Sequence, residues 1–207
     1  MKKDITIVIL FVMLSYPLVV LAAHYTQSYA IFQSRGASFR PPKNLAIEEL
    51  VLTTADGKRL NAWWLETKNT EKTILYFQGN GTNVSHKVPR LNTFRKMGVN
   101  WLITDYRGYG KSTGRIISEA DIYTDGLTAW NYLTAEKGIH PKDIIIWGRS
   151  LGGGVAAEIA RCKDIAALIL ESTFYSLDAI VQRHYWFLPT TWLCSLTRSS
   201  HSAMNTF

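Results

Sequence analysis

The stretch Ile144-Ile145-Ile146-Trp147-Gly148-Arg149-Ser150-Leu151-Gly152-Gly153-Gly154 constrains this chain more than any other. Its apolar, mostly β-branched start reads as a buried strand, which gives way at Gly148 to glycines and then to a helical pattern from Val155 onward. The backbone must therefore turn sharply between strand and helix. Gly148-Arg149-Ser150-Leu151-Gly152 fits the pattern G-x-S-x-G, in which a serine occupies the strained tip of such a turn and the flanking glycines leave room for backbones that any Cβ would obstruct. A helix starting at Leu151 would direct free N–H groups and a partial positive charge beside Ser150, which suits a developing oxyanion. Ser150 is thus the candidate nucleophile. The plainer alternative is a glycine-rich turn whose serine only caps the helix.

At 47% apolar and 12% aromatic content, the 207 residues can bury one core, so one soluble domain behind a short leader is expected. The net charge of +7 is spread over scattered Lys and Arg residues, which reads as a solvated surface that tolerates anionic membranes and not as a nucleic-acid stripe. Cys162 and Cys194 have no C-x-x-C spacing, so neither a disulfide framework nor a zinc site is indicated, and Cys162 is expected in the core.

Residues 5–23 carry no charge and follow Met1-Lys2-Lys3-Asp4, a run just long enough to span a bilayer with the lysine pair on the cytoplasmic side. A retained signal anchor is the favoured expectation, placing the domain on the non-cytoplasmic side. The alternative is a cleaved signal peptide and a secreted protein, since Pro17 and the small-residue pattern Val20-Leu21-Ala22-Ala23 suit a signal peptidase. Residues 24–44 lack periodicity and read as a connector, leaving residues 45–207 for the domain.

Residues 46–54 and 58–65 are β-prone runs around Ala55-Asp56-Gly57, a hairpin signal, with Trp63 and Trp64 expected one toward the core and one toward a neighbouring surface. Residues 73–77 form a short buried strand ending in Gln78-Gly79-Asn80-Gly81-Thr82-Asn83. A glycine-rich turn at that end of a strand points N–H groups into the crevice where open α/β sheets bind ligands, so Asn80 is the second candidate oxyanion donor beside Leu151. The G-x-G-x-x-G spacing of a dinucleotide site is missing, and Asp105 stands where a phosphate-binding loop ending at Gly110-Lys111-Ser112 would need glycine. Helix over 85–97, strand over 100–104, a capping box at Ser118-Glu119-Ala120-Asp121 opening a helix toward Gly138, helix over 151–161 and strand over 165–170 complete the pattern. Strands alternating with helices imply an α/β fold with a mostly parallel central sheet and helices on both faces. The loop from Asp105 to Gly114 is expected to be structural, with Asp105 and Arg107 tying the turn beside Ser150. Asn80 and Asn83 also match glycosylation acceptors, but the crowded turn is a poor place for a glycan.

Four motifs in order, Tyr76-Phe77-Gln78-Gly79-Asn80, Asp105-Tyr106-Arg107-Gly108-Tyr109-Gly110-Lys111-Ser112, Gly148-Arg149-Ser150-Leu151-Gly152-Gly153 and Leu170-Glu171-Ser172-Thr173-Phe174, resemble the α/β-hydrolase superfamily. The nearest likeness is to its membrane-anchored α/β-hydrolase-domain branch, which includes protein depalmitoylases and lysophospholipases and is labelled serine-peptidase-like. The likeness covers roughly residues 45–190. It implies hydrolysis of an ester, thioester or peptide bond with Ser150 as nucleophile and the Leu151 and Asn80 amides as oxyanion hole, with no cofactor and no metal. Gln78 departs from the histidine usual at its position.

A larger departure follows Glu171. The resemblance implies an acid one βα unit further on and a histidine after the last strand, yet only 36 residues follow Glu171 and the tail has no strand-like run. The usual acid and histidine are therefore expected to be absent, through truncation or because a partner supplies the rest. The competing expectation is a non-catalytic membrane-anchored binding module. Asp178, His184 and His201 lie after Ser150 but read as supporting, surface and tail residues, and Glu171 reads as structural. Tyr185-Trp186-Phe187-Leu188-Pro189 with Trp192-Leu193 forms an aromatic, apolar patch expected to pack under a cap; the functional alternative is that it lies at the membrane interface or lines an acyl-chain site, which would suit a lipophilic ester or thioester substrate.

Overall fold

The computed structural model describes residues 2–32, 40–42 and 46–173. Six strands form in chain order: β1 (Ile47–Thr53), β2 (Arg59–Leu65), β3 (Thr73–Phe77), β4 (Asn100–Thr104), β5 (Ile144–Arg149) and β6 (Ala167–Glu171). They make one sheet in the order β1-β2-β4-β3-β5-β6. β1 and β2 are an antiparallel hairpin in register Leu50 with Ala62, and β2 runs antiparallel to β4. The pairs β3 with β4, β3 with β5 and β5 with β6 are parallel. Gly57, at φ +77°, makes the hairpin turn, which the Thr54 hydroxyl closes by donating to Asp56 Oδ1 at 2.7 Å.

Parallel neighbours need crossover helices, and those helices bury both faces of the middle strands. Every residue of β3 and β4 is buried, as their unbroken apolar character requires. On one face α2 (Val88–Lys96) supplies Leu91 and Phe94 to a cluster with Trp63, Ile74, Tyr76, Trp101 and Ile103, in which Phe94 stacks on Trp101 at 4.0 Å. On the other, α3 (Glu119–Asn131) and α4 (Leu151–Cys162) pack Ile122, Trp130, Val155 and Ile159 against Leu75, Phe77, Leu102 and Ile146. Trp63 and Trp64 are therefore both buried, one in each layer. The expectation that one of them meets a surface fails because β2 is an inner strand with a helix layer over each face, and Lys137 adds a cation 5.0 Å over the Trp64 ring.

Three further readings change. The helix expected over 85–97 divides into a 3₁₀ turn, Val84–Lys87, and α2, because Pro89 lacks an N–H and is accommodated only in a first turn. Cys162, expected in the core, is exposed, since it falls at the last residue of α4, past the face that buries Val155, Ala156 and Ile159. The connector expected from residue 24 begins as helix: α1 (Lys2–Ile31) is continuous through Pro17, and Phe32 just beyond it joins the core beside α3 and α4. Among the described residues no helix is long and apolar enough to cross a membrane. The described side chains of α1 begin at Leu10, and its last turns carry Tyr25, Thr26, Ser28 and Tyr29.

α3 and α4 meet where Gly126 leaves no room: a Cβ there would overlap Val155 Cγ1 and come to 3.0 Å from Ile159 Cδ1. Gly126→Ala is expected to lower stability by about 1–3 kcal/mol through overpacking, despite the better helix propensity of alanine, as read by urea denaturation.

Candidate active site

β5 ends at Arg149 and α4 starts at Leu151, so Ser150 alone makes the turn, at φ 51° and ψ −116°. That backbone conformation is costly for a residue with a Cβ and persists only where its surroundings hold it. They do so on three sides. The Ser150 N–H donates to the Glu171 carbonyl at 2.9 Å and its own carbonyl accepts from Gly153 N–H at 2.9 Å. A Cβ at Gly148 would run into the Gly152 carbonyl, and one at Gly152 into the Phe77 carbonyl at the end of β3. Glycines at both positions let the elbow close against β3. The Ser150 hydroxyl has no hydrogen-bond partner among the described residues.

Across from it runs the turn after β3. An ideal Cβ on Gly79 would lie 3.3 Å from Ser150 Cβ and 3.9 Å from its Oγ, so this turn and the serine are in contact. Gln78, buried, occupies the position where the resemblance leads one to expect histidine, and its side chain binds the turn together. Its Nε2 donates to Asp105 Oδ1 at 2.8 Å and its Oε1 accepts from the Thr82 hydroxyl at 3.3 Å. Gln78 is thus a brace that needs no proton chemistry. The Leu151 and Asn80 backbone N–H groups, the predicted oxyanion donors, have no acceptor among the described residues. Ser150 and Leu151 thus stand at the carboxyl end of β5, and Asn80 stands in the turn after β3 whose Gly79 touches the Ser150 side chain. Asn83 is fully buried as the cap of the 3₁₀ turn, which removes it as a glycan acceptor.

Asp105 ties this turn, as its place after β4 suggested. Its carboxylate accepts from Val84 N–H at 2.7 Å, Gln78 Nε2 at 2.8 Å and Asn61 Nδ2 at 2.9 Å. Burial pushes its pKa up to about 6, against the lowering effect of those three donors. Arg107 does something else than expected. It reaches away from Ser150 to Asp125, Asp121 and Asp56, at 2.8, 2.8 and 2.9 Å, joining the loop to α3 and the β1–β2 hairpin. Glu171 is structural, accepting from Trp147 Nε1 at 3.1 Å and pairing with Arg149 at 3.4 Å. The imidazoles of His86 and His140 cap 3₁₀ turns. Asp178, His184, His201 and the aromatic run of residues 185–193 lie outside the described residues.

Sequence reasoning missed Tyr109. Its hydroxyl donates to Asn80 Oδ1 at 2.5 Å, and Asn80 Nδ2 donates to the Ile31 carbonyl at 2.5 Å. Contacts spanning 29 and 49 residues leave no local signature.

A sheet of this order, with a serine at φ 51° between its fifth strand and the next helix, defines an α/β-hydrolase. The family profile described as serine aminopeptidase, S33, matches residues 68–204, and the chain belongs to that family. It is 37% identical over 144 residues to protein bem46 of Schizosaccharomyces pombe, covering 67% of this chain and 48% of that protein. To the α/β hydrolase domain-containing protein WAV2 of Arabidopsis thaliana it is 36% identical over 139 residues, covering 65% and 45%. Among solved structures it is similar to an esterase of Pyrococcus furiosus, with a TM-score of 0.63 at 25% identity over 82% of this chain and 69% of that one. An α/β hydrolase from Vibrio vulnificus gives a TM-score of 0.61 at 30% identity over 69% and 51%. The chain spans about half the length of the curated relatives it matches.

Asp105→Asn turns one amide donor toward Asn61 and is expected to cost about 1–3 kcal/mol. Because burial raises the Asp105 pKa from 3.8 to about 6, its favourable contribution is fully present below the unfolded value and is lost as pH rises through about 6. The gap between wild type and variant in urea denaturation is therefore expected to be widest near pH 4 and to narrow toward pH 7.

Proposed function

We propose that this chain carries a serine hydrolase site for ester, thioester or peptide bonds, with Ser150 as nucleophile. The observation that carries the reading is the strained Ser150 backbone at the head of α4, in contact with the Gly79 turn. Attack of Oγ on the substrate carbonyl carbon forms the new C–O bond, and the hydroxyl proton passes to a general base. The carbonyl oxygen becomes an oxyanion, which the Leu151 and Asn80 N–H groups receive. Collapse of that intermediate breaks the bond to the leaving group, which takes the proton, and water then releases the acyl group from Ser150.

The general base is not among the described residues, and it decides between two readings. Without base and acid, an intact serine and oxyanion hole retain only about 10³–10⁴ of rate enhancement over water. A non-catalytic binding module is therefore the second reading, favoured by the Ser150 hydroxyl having no imidazole partner within residues 46–173. A fluorophosphonate probe separates the two. In the hydrolase reading the full chain is labelled at Ser150 and Ser150→Ala is not; folded wild-type protein that stays unlabelled makes it a binding module or an incomplete site awaiting a partner's base.

The proposal extends to a lipid-like acyl substrate and to attachment by the N-terminal segment, with the domain on the non-cytoplasmic side or, after cleavage, secreted. Supporting it are the uncharged residues 5–23 behind Lys2-Lys3, and the exposure of Leu10, Phe11, Met13, Leu14, Leu18, Val19 and Leu21 along α1. The expected outcome is that the full chain stays with membranes through alkaline carbonate extraction and that a chain starting at His24 does not.

A further inference from the structure

We infer that the last turn of α1 is a working part of the active site: through the Asn80 carboxamide it fixes the turn that presents the oxyanion-binding N–H, with Tyr109 as a positioning residue. The inference rests on the reading of Asn80 as an oxyanion donor. The end of a helix leaves carbonyls without intrahelical partners, and at the end of α1 the Ile31 carbonyl is taken by Asn80 Nδ2 at 2.5 Å. On its other side the same carboxamide accepts from the Tyr109 hydroxyl at 2.5 Å. Asn80 is exposed, and an exposed carboxamide bonded on one side only would tether its turn at a single point and leave the backbone there free to reorient. Held on both sides, it fixes the backbone between Gly79 and Gly81 and with it the direction of the Asn80 N–H.

Both holders are themselves anchored. Tyr109 is buried, lies edge-on to Tyr106 at 5.9 Å, and its hydroxyl also faces the Gly81 amide. Tyr106 in turn donates to the Gln78 carbonyl at 2.9 Å. Burial pushes the Tyr109 pKa up to about 12, so it remains a donor at neutral pH. At the end of α1, Ser28 and Phe32 are buried, and the Arg115 guanidinium lies 3.8 Å over the Tyr29 ring. A displacement of α1 would have to break these contacts and would release Asn80 with them. The leader thus reports its own position to the crevice.

The test uses the full chain in detergent with three variants, Arg115→Ala, Arg115→Lys and Tyr109→Phe. Arg115 is exposed and outside the core, so its removal loosens α1 without touching Asn80. Hydrogen exchange across residues 79–84 is expected to rise about threefold to tenfold in Arg115→Ala and Tyr109→Phe, with β3 and β4 unchanged. Arg115→Lys restores the wild-type rate, because it keeps a cation over Tyr29. In the same samples the inactivation rate constant for fluorophosphonate at Ser150 falls by a similar factor while the probe's binding constant holds. Unchanged exchange at 79–84 in Arg115→Ala overturns the inference, and that variant decides should Tyr109→Phe loosen the whole sheet. If wild type is not labelled, the hydrolase reading fails, and the exchange measurement still settles whether α1 controls the turn.

Discussion

The contact between the Phe77 carbonyl at the end of β3 and the backbone of Gly152 is the constraint on which the rest of the site depends. Two main chains meet there with no side chain between them, which only glycine permits. With that gap closed, the first turn of α4 is pressed against β3 and the chain between β5 and α4 has a single residue in which to reverse. Ser150 absorbs the strain, and its hydroxyl is left at the crevice beside the turn after β3. A cluster of glycines that weakens a helix by propensity is here what lets the helix start where it does.

Polar groups then hold what packing alone would leave loose. The turn after β3 has little apolar surface to bury, and it is organised instead around one buried carboxylate, Asp105, with two donors from the turn itself, Gln78 and Val84, and one from β2, Asn61. Arg107, two residues on, has the opposite arrangement, a buried cation shared among carboxylates of α3 and the hairpin. Because each charge is matched to its own partners, the loop after β4 acts as a bracket between the crevice and the far edge of the sheet.

Much of this was legible. β3 and β4 coincide with the runs read in the sequence, since a short apolar, β-branched stretch closed by a glycine-rich or acidic turn has few other solutions. The elbow was legible because its chemistry demands glycines at fixed offsets. What escaped were features set by tertiary context. Residues 24–31, a mixture of polar and aromatic side chains with no apolar stripe, are helical because Phe32 is held in the core and Tyr29 under Arg115. The destination of Arg107 was likewise hidden, because its carboxylates are 14, 18 and 51 residues away. The bond between Asn80 and Ile31 belongs to the same class, a pairing of leftover helix-end and loop groups that no local pattern encodes.

The sheet divides the interior into two layers that share no buried side chain: a smaller one under α2 that includes Trp63, Tyr76, Phe94 and Trp101, and a larger one under α3 and α4 that includes Leu75, Phe77, Trp130 and Val155. Energetic effects spread through touching side chains and fade between groups without common neighbours. Substitutions deep in the smaller layer are therefore expected to add to those in the larger one, except at Val84 and Trp147, which tie the smaller layer to Asp105 and to the Glu171 that holds the serine turn.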